Sequence, residues 1–192
     1  MRNRFATVAT PCAVALAGVG LIAYAQAQAP APKGSVVVAA PIYTSIQMEI
    51  TVDGPAAEVW KRIGKYCDVG EWLQVPAGCQ IISGKDGEFG AVRSVGGGEV
   101  LVGRTELSYT YAQTPKEGTP FNLYHGTIEA RPLTPTSSKL VYTLFFDNSM
   151  LPDEAARAAD REARRARFTQ ALKNMKTLAE GGTLPPLQPA AK

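Results

Sequence analysis

The hydrophobic period changes three times along this chain, and the order of those changes restricts the fold more than any single motif does. "SIQMEITVDGP" alternates, with Ile46, Met48, Ile50 and Val52 on one face and Gln47, Glu49 and Thr51 on the other. That is the pattern of a strand buried on one side. The period then becomes helical in "DGPAAEVWKRIGKY", where Ala56, Val59, Trp60 and Ile63 follow a Pro55 suited to the first helical position. A second short helix or turn, "DVGEWL", offers Val69, Trp72 and Leu73 to the same core.

From Cys79 onward the period returns to two. "CQIIS", "AVRSV", "EVLVG", "TELSYTYAQ", "FNLYHGTIEARPL" and "KLVYTLFFDN" are separated by short segments rich in Gly, Pro, Thr and Ser. In the last of them Leu140, Tyr142, Leu144 and Phe146 share a face. Strands joined in this way predict an antiparallel meander, and the whole chain reads as α+β. The third change opens "LPDEAARAADREARRARFTQALKNMKTLAEGG". Pro152 and acids stand near its start, Gly181 follows its end, and Phe168, Ala171, Leu172, Met175, Leu178 and Ala179 form a stripe. Upstream the stripe meets Ala158, Arg161, Arg164 and Arg165, so only the second half of this helix reads as core.

The first residues are of a different kind. Arg2 and Arg4 precede a small-residue apolar run from about Val8 to Ala23, followed by A-x-A sites. This is the layout of a secretory signal peptide, with cleavage expected after Ala25 or Ala27. The apolar run is short for a membrane span, and Cys12 lies inside it rather than after a lipoprotein-type cleavage box. The expected organisation is a signal peptide over 1–27, a Pro/Ala-rich linker over 28–41, one domain over 42–180 and a tail over 181–192. Cleavage removes Arg2 and Arg4, the only charges in the leader, and lowers the formal charge from +3 to +1. A near-neutral chain has no electrostatic footprint for nucleic acid. No other segment is apolar enough to span a bilayer, so an exported protein, periplasmic or secreted, without stable membrane insertion is expected.

Export gives the remaining cysteines a meaning. Cys67 and Cys79, an even pair close in sequence, suggest a disulfide in an oxidising compartment. A redox pair or metal ligands are the alternatives, but there is no C-x-x-C and the single histidine, His125, is distant in sequence.

"GAVRSVGGGEVLVG" raises the question of a phosphate loop. It has neither the lysine nor the following helix that such a loop needs. Gly96–Gly98 read instead as a hairpin turn, which sets Arg93 before the turn and Glu99 after it. H-E-x-x-H, G-x-S-x-G and any cluster of His, Cys and acids are also missing from the sequence. No metal and no cofactor are expected. Strand parity sets His125 on the face opposite Tyr124 and Ile128, a surface or rim position.

In combination, "ITVDGPAAEVWKRIGKY" leading to Trp72, "GAVRSV" with Gly90 and Arg93, "LSYTY" with Tyr111, "YHGTIEARP" with Tyr124 and "LVYTLFFD" with Phe146 and Asp147 carry a resemblance. Over residues 43 to 180 the chain resembles the START-like, helix-grip superfamily, and within it the SRPBCC polyketide cyclase/dehydrase family. The resemblance implies a curved antiparallel sheet wrapped around a long C-terminal helix, two short helices after the first strand, and a cavity between sheet and helix for an apolar or amphipathic ligand of lipid, sterol or aromatic type. The chain departs from common members where "VLVGRTEL" replaces a Glu-containing "ERL" pattern, at Tyr142 where tryptophan is frequent, and in its paired cysteines and leader.

The residues expected around the cavity are Trp72, Arg93, Tyr109, Tyr111, Tyr124, Tyr142, Phe146, Arg164 and Phe168. Each has a plainer alternative. Arg93 is either a counter-ion for a ligand carboxylate or the cross-strand partner of Glu99. The tyrosines supply pocket hydroxyls or are core and rim aromatics. The basic run "REARRARF" holds an anionic head group or is a solvated face with i,i+4 pairs such as Asp160 with Arg164. The expected function is binding of a small hydrophobic or amphipathic molecule. The alternatives are a cyclase or dehydratase using pocket Tyr, Arg or His for proton transfer, and an envelope protein acting through a partner surface.

Overall fold

The computed structural model describes residues 40–114 and 121–186. The expected leader, nearly all of the linker and the last six residues of the tail lie outside the described residues. Strand β1 (Tyr43–Asp53) is followed by helices α1 (Ala56–Ile63) and α2 (Val69–Trp72). Six strands come next: β2 (Gln80–Ser83), β3 (Val92–Ser94), β4 (Gly98–Thr105), β5 (Ser108–Gln113), β6 (Tyr124–Thr134) and β7 (Ser137–Asp147). Helix α3 (Glu154–Ala179) closes the domain.

The strands form one antiparallel seven-stranded sheet in the order β1-β7-β6-β5-β4-β3-β2. Among the described residues only the β1–β7 pairing joins strands distant in sequence; the meander supplies the rest. Register shifts in the β2–β3, β4–β5 and β6–β7 pairs bend the sheet. The concave face receives α3, the grip arrangement that the resemblance implies. Among the described residues no helix is long and apolar enough to cross a membrane.

The expected faces are the buried ones. Ile46, Met48 and Val52 of β1 and Leu140, Tyr142, Leu144 and Phe146 of β7 point into the core. Gly126 lies across from Tyr111 in the β5–β6 register, and a side chain at Gly126 would run into the Tyr111 ring. The glycine therefore lets Tyr111 lie flat over β6. One boundary shifts: Pro55 is the residue before α1 rather than its first residue, with φ −59° and ψ 139°. Its fixed φ suits the turn out of β1 equally well.

Helix α3 is two half-helices in character. Asp153 caps it, accepting the Ala156 amide at 2.8 Å. Burial begins only at Phe168 and continues through Ala171, Leu172, Met175 and Leu178. Asn174 is buried with them and donates to the Trp72 carbonyl at 2.9 Å, fixing α2 to α3. At the far end Lys176 donates to the Thr51 carbonyl and Glu180 accepts the Asp53 amide, so α3 caps the end of edge strand β1.

Cys67 and Cys79 are joined, tying the α1–α2 connection to the residue before β2. Opening a loop of this size is expected to lower the free energy of unfolding by about 3 kcal/mol. Urea denaturation of the Cys67→Ser/Cys79→Ser protein checks this. A loss below about 1 kcal/mol would mean that the packing of α2 alone fixes the segment.

Candidate functional site

The site is built from the β3–β4 hairpin. Val95 donates to the Gly97 carbonyl at 3.1 Å across the turn, and Gly96 takes the left-handed conformation at φ 87°. The turn is as tight as the sequence predicts, but only Gly96 of the three needs a positive φ. The register sets Arg93 directly opposite Glu99, both facing inward. Arg93 is 0% exposed and Glu99 5%.

Nearly every polar atom of this pair is engaged. Arg93 Nε donates to Glu99 Oε2 at 2.8 Å, and Nη2 lies 2.7 Å from the same oxygen. Gln113 donates to Glu99 Oε1 at 3.1 Å. Arg93 Nη1 donates to the Tyr66 carbonyl and, at 3.1 Å, to the Tyr109 hydroxyl. The guanidinium carbon lies 4.1 Å from the Tyr66 ring centre and 4.9 Å from that of Tyr111. Burial opposes the charge on Arg93, but the Tyr109 and Glu99 oxygens outweigh it and hold its pKa above the usual arginine value. Nη2 is close to Glu99, yet its N–H groups meet no well-aligned acceptor.

A cleft of about 530 Å³ opens above this pair. Its sides are the Val95–Gly98 turn, Val69 and Leu73 from α2, and Ala163, Arg164 and Arg167 from the first half of α3. Its floor is Arg93, Glu99, Tyr111, Tyr142 and Phe168. The Tyr111 and Tyr142 hydroxyls bond each other at 2.9 Å, and the Tyr142 ring packs on Phe168 at 4.7 Å. Burial pushes both phenols well above their ordinary pKa, so each stays protonated at neutral pH. Arg164, 16% exposed, pairs with Asp160 at 2.9 Å and lays its guanidinium over the Phe146 and Tyr124 rings. Every floor residue is nearly closed to solvent. This open space lies between the β3–β4 turn and the first half of α3.

The expected residues divide accordingly. Arg93, Tyr111, Tyr124, Tyr142, Arg164 and Phe168 surround this cleft. Tyr109, two residues before Tyr111 on the same strand face, lines a second cleft of about 390 Å³ with Trp60, Tyr66 and Arg104. Trp72 and Phe146 are fully buried behind the first cleft and line neither. Arg161 bonds Glu154 and Arg165 lies 3.7 Å from Glu162, the solvated-face alternative. His125 is half-buried opposite Phe145 and Ala112, outside both clefts, and burial lowers its pKa. Gly96–Gly98, Gln113, Ala163 and Arg167 also line the cleft, beyond the residues expected from sequence. Gln113 was open to inference, because it continues the inward face of Tyr109 and Tyr111.

No group of His, Cys, Asp or Glu among the described residues is arranged to hold a metal ion. The one floor carboxylate is already bonded to Arg93 and Gln113. The Tyr111–Tyr142 hydroxyl pair, the Arg164 and Arg167 guanidiniums and the ring faces around them complete the lining.

Two tests follow from this geometry. Glu99→Ala leaves Arg93 buried and uncompensated and is expected to cost roughly 3–5 kcal/mol in urea denaturation, whereas Arg93→Met/Glu99→Leu costs far less. A single-variant loss under about 1 kcal/mol would contradict the arrangement. In an alkaline titration followed at 295 nm, Tyr66, Tyr109, Tyr111, Tyr124 and Tyr142 are all held above their ordinary pKa by burial. A phenol whose folded pKa is raised loses stability as pH climbs past the unfolded value near 10. These five are expected to ionise together with unfolding; gradual ionisation of an intact fold would show an open floor.

The molecule is similar to known proteins along its whole domain. Residues 43–180 match the family model described as "Polyketide cyclase / dehydrase and lipid transport". No curated protein matches the sequence. A solution structure from Thermobifida fusca is similar at 21% identity and a TM-score of 0.60, covering 73% of this chain and 97% of that one. The Zhui aromatase/cyclase from Streptomyces sp. R1128 is similar at 18% identity and a TM-score of 0.54, covering 74% and 100%. Norcoclaurine synthase from Thalictrum is similar at 14% identity and a TM-score of 0.53, covering 73% and 96%. At these identities the structures share the fold, and the family model supplies the kinship: the chain belongs to the polyketide cyclase/dehydrase and lipid-transport family of the SRPBCC superfamily.

Proposed function

We propose that this chain is an exported binding protein that takes an apolar or amphipathic small molecule into the cleft between the β3–β4 turn and α3. The observation that carries this reading is the contrast between the cleft's walls and its floor. Val69, Leu73, Ala163 and the glycine backbone of the turn line the sides, with the Arg164 and Arg167 guanidiniums on the α3 side, while the Tyr111, Tyr142 and Phe168 rings and the Arg93 guanidinium form the bottom. That is how a site grips an apolar body and orients a polar end. Family membership supports the ligand class in general, and the leader and paired cysteines support export.

The enzymatic alternative has less support. His125, whose ordinary pKa suits a general base, stands on the outer face. The floor tyrosines are held protonated and hydrogen-bonded to each other.

Gly97 offers a direct test. A side chain there would meet nothing within 4 Å, yet Gly97 lines the cleft. Gly97→Phe is therefore expected to fill the mouth without unfolding the protein. Binding of 1-anilinonaphthalene-8-sulfonate, an aromatic amphipathic anion, should weaken at least about tenfold, roughly 1.4 kcal/mol. Native mass spectrometry of gently purified wild type should show a co-purified small molecule that the variant lacks. Equal probe binding by both proteins would place the ligand elsewhere.

A further inference from the structure

The two clefts share a wall. Arg93 lines the first cleft, and Tyr66 and Tyr109 line the second. Arg93 touches both tyrosines directly, with Nη1 3.1 Å from the Tyr109 hydroxyl and its guanidinium 4.1 Å from the Tyr66 ring centre. Tyr66 and Tyr109 meet edge to face at 5.4 Å. The barrier is thus two side chains thick: a guanidinium on one side and a pair of phenol rings on the other. Tyr109 and Tyr111 alternate with outward residues on one strand, yet one faces each cleft. The two clefts end against opposite sides of this barrier, and exposed Lys61, Lys65, Asp86 and Arg104 rim the second.

We propose that Arg93 and Tyr109 form a partition dividing a single transverse channel, and that Tyr109 sets the length of ligand the first cleft admits. This rests on the reading of that cleft as the ligand site. Removing the Tyr109 ring takes away one layer and frees Arg93 Nη1 from its hydroxyl bond. Arg93 stays bonded to Glu99 and to the Tyr66 carbonyl, and the space the ring leaves beside it extends the first cleft toward Trp60 and Arg104. Removing only the hydroxyl leaves the ring in place and the depth unchanged. Tyr109 would act by exclusion, as a specificity-determining residue without chemistry of its own.

The test is a length series of straight-chain carboxylic acids from eight to eighteen carbons, with affinities read by displacement of 1-anilinonaphthalene-8-sulfonate. In the wild type affinity should stop rising at an intermediate length. Tyr109→Ala should leave the shortest acids unchanged and bind the longest at least tenfold more tightly. Tyr109→Phe should keep the wild-type limit. The same length limit in folded Tyr109→Ala as in the wild type would overturn the proposal. Should Tyr109→Ala not fold, Tyr109→Leu is read in the same way. If neither wild type nor variant binds any acid or the probe, the ligand reading itself fails and the length rule with it.

Discussion

Arg93 carries a charge that water cannot reach, and the rest of the interior is arranged around that fact. A guanidinium stripped of solvent needs a carboxylate and several acceptors at close range. Glu99 supplies the first from the neighbouring strand, and the Tyr66 carbonyl and Tyr109 hydroxyl supply the rest. Each partner comes from a different element, so the ion pair fixes the β3–β4 register, the approach of the α1–α2 connection and the rotamer of a β5 tyrosine together. Tyr66 also donates its hydroxyl to the Glu99 carbonyl at 2.9 Å, which closes the circuit. A pair of this kind contributes little net stability against an apolar substitute, yet it penalises every alternative register heavily. Its consequence for the site is geometric: it builds a floor and stops the grip from being hollow throughout.

How much of this the sequence disclosed depends on what kind of fact is asked for. The period changes gave the order of elements, because alternation in β1 and β7 and the stripe on α3 are local properties. The Arg93–Glu99 pairing was also open to inference, since a tight glycine turn forces the residues flanking it into register. Strand parity told correctly that His125 faces away from Tyr124 and Ile128. Parity failed where the question was which part of the interior a residue faces. Tyr109 and Tyr111 have the same parity, and only the placement of Arg93 between them separates their two clefts. Trp72 and Phe146, expected around the cavity, are buried away from it: Trp72 turns from α2 against Tyr142, and Phe146 lies under Arg164 of α3. The three glycines read as punctuation and are that; their tip also faces the first half of α3 across the cleft, a tertiary fact that no local pattern encodes.

Helix α3 joins the fold to the site. Its second half, from Phe168 to Leu178, anchors the core, and Asn174 holds α2 in place. Its first half lacks apolar residues where the stripe would continue, so it cannot close down on the sheet. Arg164 fills part of that gap with a guanidinium neutralised by Asp160 and spread over aromatic faces. The cleft exists because the amphipathic pattern of α3 stops at Phe168. The same change of pattern that made "REARRARF" look out of place in a core helix is what leaves an opening for a ligand.

The central claim is that the space between the β3–β4 turn and the first half of α3 holds a small molecule. Backbone amide spectra of isotope-labelled protein, recorded as purified and again after extraction with organic solvent, test it most directly. Shifts confined to Val95–Glu99, Gln113 and Ala163–Phe168, reversed when the extract is returned, are the expected result. Unchanged spectra, or shifts centred on the outer face around His125 and Phe145, would contradict it.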